Sequence, residues 1–181
     1  MSMYDDIKEV LVNEEQLKEC VQKLGAQITK DYEGKNLLLV SVLRGSVIFM
    51  ADLMREIKIP CTIDFMSVSS YGAGTKISGV VKIIKDLDLN LAGYDILISE
   101  DILDSGNTLS YLKKILLTRN PSSIKICTLL DKPERRTADI TADYSGFSIP
   151  DAFAVGYGLD YDEKYRNLPF IGILKPCVYE K

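Results

Sequence analysis

Glu100-Asp-Ile-Leu-Asp-Ser-Gly-Asn-Thr108 packs three carboxylates and a small polar turn into nine residues. Ahead of it, Ile96, Leu97 and Ile98 read as a buried strand. Behind it, Leu109, Leu112 and Leu116 recur at helical spacing. The three acids are therefore expected where the strand ends, and Ser105 to Thr108 at the N-terminus of a helix. Unpaired backbone N–H groups and the helix dipole make such a terminus a phosphate site. Glu100, Asp101 and Asp104 would repel a phosphate, so they must serve another part of the same ligand. Ribose hydroxyls and Mg²⁺ are their natural partners. A sugar phosphate with a metal suits this segment better than a bare phosphate. No Walker A pattern is present, and the glycines at 72, 74, 156 and 158 do not match G-x-G-x-x-G. The chain has no histidine. Any general acid or base is then a carboxylate, Lys, Tyr or Cys, and a Ser-His-Asp triad is excluded.

Such a ligand needs a scaffold that holds loops in register, and the pattern of elements supplies one. Asn13-Glu-Glu-Gln16 has the form of a capping box, and Leu17, Val21, Leu24 and Ile28 behind it predict a helix over Glu14 to Asp31. Leu37 to Val42 is a continuous apolar run, as in a strand buried on both faces. A helix over Val47 to Ile57 follows, then strands at Cys61 to Val68, Val80 to Ile84, Asp95 to Ser99 and Ile124 to Leu130. Short strands are expected at Ala152 to Val155 and Phe170 to Leu174. The helix after Gly106 should end near Asn120-Pro121. This alternation predicts an α/β fold, a mainly parallel sheet flanked by helices. Ligands of such folds bind outside the carboxyl ends of the strands. The acidic cluster, Leu43 to Ser46 and Asp131-Lys132 all fall there.

Length and composition narrow the function. The 181 residues suit one domain with a modest appendage. A chain of this size buries roughly 70% of its unfolded surface and needs no staple. A net charge of -4 without a basic stripe argues against nucleic acid as a partner. Four scattered cysteines with no C-x-x-C pair, and no visible signal peptide, read as reduced thiols of a cytoplasmic protein. No apolar run approaches a membrane span.

The string E-D-I-L-D-S-G-N-T resembles the phosphoribosyl-pyrophosphate signature of the type I phosphoribosyltransferases. The similarity runs from about Val40 to Leu168 and is greatest to the hypoxanthine-guanine branch. It implies one phosphoribosyltransferase domain over residues 1-181. The core would span about 35-150, with a small hood built from the N-terminal segment and about 151-181. It also implies that Glu100 and Asp101 hold the ribose hydroxyls and help place Mg²⁺, while Asp104, Ser105, Gly106, Asn107 and Thr108 wrap the 5′-phosphate. Leu43-Arg44-Gly45-Ser46 would bind pyrophosphate through backbone amides, often with a cis peptide between its first two residues. Arg44 adds a fork of donors that suits phosphate, and Arg166 would meet the pyrophosphate. In the same segment, Asp160 would meet a second Mg²⁺ or the base edge. Ser70-Tyr71, within the glycine-rich stretch 69–79, would belong to a lid that closes before bond breaking.

The purine side follows from chemistry as well as resemblance. An ammonium only donates hydrogen bonds, so Lys132 would accept a purine with a carbonyl at position 6 and disfavour adenine. Phe153 would stack on the base and Ile102 press on its other face. Where the family often has Val, this chain has Ala154, whose backbone carbonyl can still reach the base. Asp104 is the candidate general base; it competes with a plainer role, capping the following helix. Taken singly, Lys132 reads as a surface lysine, Phe153 as a core aromatic and the 159–168 segment as a solvated face. The expected activity is transfer of a phosphoribosyl group from phosphoribosyl pyrophosphate to a 6-oxopurine base. It would be carried out by a homo-oligomer, as dimers and tetramers are the family's habit. A transferase for xanthine or a pyrimidine is the rival reading. A regulator that binds RNA or DNA would need a basic surface or an added helix-turn-helix, and neither is visible.

Overall fold

The capping box forms as read. In the computed structural model, which describes residues 2–70 and 81–180, Asn13 Oδ1 accepts from the Gln16 N–H and Gln16 Oε1 from the Asn13 N–H, both at 2.9 Å. This opens α1 (Glu14–Asp31), which follows β1 (Ile7–Val12). Next come β2 (Leu37–Leu43), α2 (Val47–Glu56), β3 (Cys61–Ser70), β4 (Val81–Lys85) and β5 (Asp95–Leu103). Then follow α3 (Asn107–Leu117), β6 (Ser123–Asp131), β7 (Tyr144–Ser148), β8 (Ala154–Val155), β9 (Ile171–Leu174) and the short α4 (Pro176–Tyr179).

Six strands form the main sheet in the order β4-β3-β2-β5-β6-β7. All neighbours are parallel except β3 and β4. Strand β2 explains its own burial. Leu37 and Leu39 face the core shared with α1 and α2, where Leu17, Ile28, Phe49 and Leu53 pack. Leu38 and Val40 face the opposite core, with Leu109, Leu112 and Leu116 of α3. Period-2 alternation thus feeds two apolar layers, which is why the strand carries no polar face. β1, β9 and β8 make a separate small antiparallel sheet, so both ends of the chain contribute to one appendage.

Three features depart from the sequence pattern. β5 does not end at Ser99. Its ladder with β6 continues through Glu100↔Thr128 and Ile102↔Leu130 to Leu103↔Asp131, so Glu100 and Asp101 lie within the strand. Buried acids are rare enough in strands that the pattern stops at the last aliphatic residue. β1 and β7 carry no clear alternation and were not foreseen. The C-terminal pair is shorter than expected, and Phe153 and Phe170 lie just outside it.

Candidate active site

The chain leaves β2 through α2 toward β3 and leaves β5 through α3 toward β6, in opposite directions across the sheet. A crevice opens between β2 and β5 where the order diverges, as such folds require. It is a cavity of about 260 Å³ whose wall includes Leu43, Arg44, Gly45, Glu100, Asp101, Asp104, Ser105 and Thr108. A second cavity, of about 460 Å³, includes Lys132, Asp151, Phe153, Ala154, Asp160 and Tyr179 in its wall. Ile102 and Asp104 line both.

The loop after β2 is held from beneath. Ser41 and Ser46 share a buried hydrogen bond at 2.7 Å, and Ser46 Oγ also donates to the Val42 carbonyl at 2.7 Å. The Leu43–Arg44 peptide is cis. Gly45 lies so close to Asp101 that a Cβ there would stand 1.7 Å from Asp101 Oδ2. A Cβ on Gly158 would stand 2.0 Å from the Gly45 carbonyl oxygen. Two glycines thereby let the loop, the acidic strand and the 156–158 segment converge.

At the start of α3 the N-cap is Gly106, at φ +80, and no side chain caps the helix. The capping role considered for Asp104 is therefore not realised. The carbonyl of Ser105 accepts from the Thr137 and Ala138 N–H groups at 3.0 and 3.1 Å. The carbonyl of Asp104 accepts from Arg136 Nε at 2.8 Å. The acceptors that would satisfy the first helical N–H groups are thus used elsewhere. Ser105 Oγ accepts weakly from the Asn107 N–H at 3.4 Å. Among the described residues, the N–H groups of Gly106 and Thr108 have no acceptor in the protein. This is the arrangement that attracts a phosphoryl group.

Glu100 and Asp101 line the crevice as buried carboxyls. Glu100 Oε2 is buried without a hydrogen-bond partner. Burial, then the neighbouring Asp101 charge, pushes its carboxyl well above the usual range. Burial also raises Asp101 to about 6, against the pull of the Ile102 N–H and Arg166. Asp160 pairs with Arg166 at 2.8 Å and accepts from the Glu163 N–H at 3.0 Å. No cluster of three metal-ligating side chains occurs among the described residues. The donor set fits a hard cation that completes its shell with ligand oxygens and water, as Mg²⁺ does.

In the larger cavity, Lys132 is buried and donates from Nζ to the Ala152 carbonyl at 2.7 Å, with Asp151 Oδ1 at 3.6 Å. An ammonium has three donors, so at least one N–H is left for a ligand. Phe153 is exposed. Tyr179 stacks on its ring at 4.9 Å between centroids, and Tyr161 meets it edge-on at 5.4 Å. Arg44 reaches Glu163 at 2.8 Å in an exposed pair, and Arg166 also donates to the Gly158 carbonyl at 2.8 Å. Arg44 is exposed and held by this one pair, whereas Arg166 is part-buried and tied to Asp160, Glu163 and the Gly158 carbonyl. Tyr71 of the expected lid lies outside the described residues, and Ser70 ends β3.

Sequence reasoning missed Arg135, Arg136, Asp151 and Tyr179. Arg136 pairs with Asp131 and bonds the carbonyls of Leu103, Asp104 and Ile140, clamping the turn that carries Asp104. The only available signal was the Arg135-Arg136 pair, three residues beyond Lys132 at its first member.

The sheet, parallel but for its β3–β4 edge, thus carries an uncapped helix N-terminus and buried acids at its switch point. The phosphoribosyl transferase domain matches residues 8–162. The chain belongs to that family. It is 57% identical over 178 residues to the hypoxanthine-guanine phosphoribosyltransferase of Bacillus subtilis, covering 98% of this chain and 99% of that one. A crystal structure of a hypoxanthine phosphoribosyltransferase from Staphylococcus aureus superposes with a TM-score of 0.96 at 54% identity, covering 99% and 97% of the two chains. The bifunctional protein TilS/HprT of Listeria monocytogenes serotype 4b is 53% identical over 180 residues; the chain spans 28% of that relative's length.

Proposed function

We propose that the chain transfers the phosphoribosyl group of phosphoribosyl pyrophosphate to hypoxanthine or guanine, giving IMP or GMP and pyrophosphate. The carrying observation is the pair of adjoining cavities that share Ile102 and Asp104. One offers amides and carboxylates to a sugar phosphate, the other a buried ammonium and an aromatic ring to a 6-oxopurine. The sequence similarity to hypoxanthine-guanine phosphoribosyltransferases supports the same reading.

In this reading the purine N9 attacks C1′ as the C1′–pyrophosphate bond breaks. The barrier is charge separation at C1′, so catalysis is mostly positioning and electrostatic support. The free N–H groups of Gly106 and Thr108, with the Ser105 and Thr108 hydroxyls, hold the 5′-phosphate. Glu100 and Asp101 meet the ribose hydroxyls. The Leu43–Ser46 amides, Arg44 and Arg166 hold the leaving pyrophosphate. Asp104 accepts the proton that the purine loses. Lys132 donates to the 6-oxo group, while Phe153 and Ile102 bracket the ring. Held by Glu100, Asp101 and ligand oxygens, with Asp160 at a second position, Mg²⁺ would supply positive charge to the leaving group.

We read the six-stranded sheet with its helices as the core of one domain, and the β1-β9-β8 sheet as its hood. A cytoplasmic setting fits the four free thiols. Among the described residues no helix is long and apolar enough to cross a membrane. The family habit supports a dimer or tetramer, which light scattering would check.

The decisive assay is ultraviolet absorbance with phosphoribosyl pyrophosphate, Mg²⁺ and one base at a time. Hypoxanthine and guanine should turn over and adenine should not. Turnover with a pyrimidine alone, or with no base, would overturn the reading.

A further inference from the structure

Asp104 has one feature that the proposed reaction does not use. Arg135, on the 3₁₀ turn Pro133–Arg135 after β6, places Nε 2.9 Å from Asp104 Oδ1. The approach is not aligned as a hydrogen bond, and Oδ1 lies shut off from water with no donor of its own. The other end of the guanidinium is tethered, Nη1 standing 3.1 Å from Asp151 Oδ2 and 3.4 Å from Asp151 Oδ1. Among the described residues, Arg135 is the one basic side chain within ion-pairing distance of the Asp104 carboxylate. Arg136 holds the same residue only by its backbone carbonyl. Both Arg135 and Asp104 line the larger cavity.

We propose that Arg135 is a positioning residue for phosphoribosyl transfer, holding Asp104 by Oδ1 so that Oδ2 faces the purine N–H. This rests on the reading of Asp104 as the proton acceptor. A carboxylate has two oxygens that can serve separate partners. With Oδ1 taken up beneath the guanidinium, Oδ2 is the oxygen left to the ligand. Asp151 and Asp160 line the same cavity as Asp104. Their like charge favours turning the Asp104 carboxylate outward to solvent. The tether to Asp151 lets Arg135 oppose that rotation. Both side chains of the Arg135–Asp104 pair are nearly half exposed. Water screens their attraction, so the contribution is orientation rather than binding energy.

The test is a double-mutant cycle read by steady-state kinetics with hypoxanthine, phosphoribosyl pyrophosphate and Mg²⁺. General-base catalysis is worth about 10²–10⁴-fold, and losing its alignment should cut the rate to roughly a tenth to a hundredth. Arg135→Gln should therefore lower kcat by about tenfold or more while KM for phosphoribosyl pyrophosphate stays within about twofold. Arg135→Lys, which keeps the charge and most of the reach, should recover much of the loss. In an Asp104→Asn background, Arg135→Gln should change kcat by less than about twofold, because the residue acts through Asp104. Thermal unfolding of each variant separates a folding defect from a kinetic one. Wild-type kcat in Arg135→Gln, or an equal loss in both backgrounds, overturns the inference while leaving the reaction intact. Normal turnover in Asp104→Asn would instead sink the proton-acceptor reading on which it stands.

Discussion

Asp101 should cost the ligand-free protein stability, and the cost should depend on pH in a fixed direction. Its carboxyl is raised from 3.8 to about 6, chiefly by burial. In the unfolded chain it titrates near its ordinary value. A raised acid binds its proton more tightly when folded. Its favourable contribution is complete below about pH 4 and is lost as pH climbs through about 6. At 1.36 kcal/mol per pH unit, the full loss is roughly 3 kcal/mol. Asp101→Asn removes the titration but keeps an Oδ1 that can accept from the Ile102 N–H, now at 2.7 Å. The variant and the parent should therefore unfold at similar urea concentrations at pH 4, in EDTA. At pH 7 to 8 the variant should be more stable by roughly 3 kcal/mol, a shift of about 1–2 M urea at a typical slope. Part of that gain arises because Glu100, no longer facing the Asp101 charge, ionises more easily. Adding phosphoribosyl pyrophosphate with Mg²⁺ should raise the parent and leave the variant nearly unmoved. Equal midpoints at pH 7, or an advantage for Asn that grows as pH falls, would refute the argument.

Further outcomes follow from single contacts. Gly45→Ala should change the melting temperature little, because the new Cβ meets the movable end of Asp101, but isothermal titration should show at least about tenfold weaker binding of phosphoribosyl pyrophosphate with Mg²⁺. Gly158→Ala should instead lose stability by about 1–3 kcal/mol, since its Cβ meets the Gly45 backbone and its φ is +102. Lys132→Met should weaken hypoxanthine binding by about tenfold or more, measured by equilibrium titration, with phosphoribosyl pyrophosphate affinity unchanged. Asn13→Ala should cost about 1 kcal/mol in urea unfolding and leave kcat alone, because it removes one half of the capping box far from the cavities.

Local order was legible wherever neighbouring residues enforce it. The capping box, the 3.6-residue spacing of Leu17 to Ile28 and the aliphatic run of β2 each specify an element by backbone hydrogen bonding and periodic burial alone. The strand, acids, turn and helix of 95–117 were readable for the same reason. The extent of β5 was not, because what continues it is the ladder supplied by β6, not its own composition.

What only the tertiary structure decided is how distant segments meet. Asp101 against Gly45, Gly158 against the Gly45 carbonyl, Arg135 on Asp104 and Tyr179 on Phe153 join residues between 26 and 113 positions apart. Short-range periodicity carries no record of such pairs; the crossover directions of the sheet and the packing of its two faces bring them together. The sequence by itself determined which groups could bind a sugar phosphate and a purine. Their common cavity wall, and the Arg135 and Arg136 contacts to Asp104, exist only once β5 lies between β2 and β6.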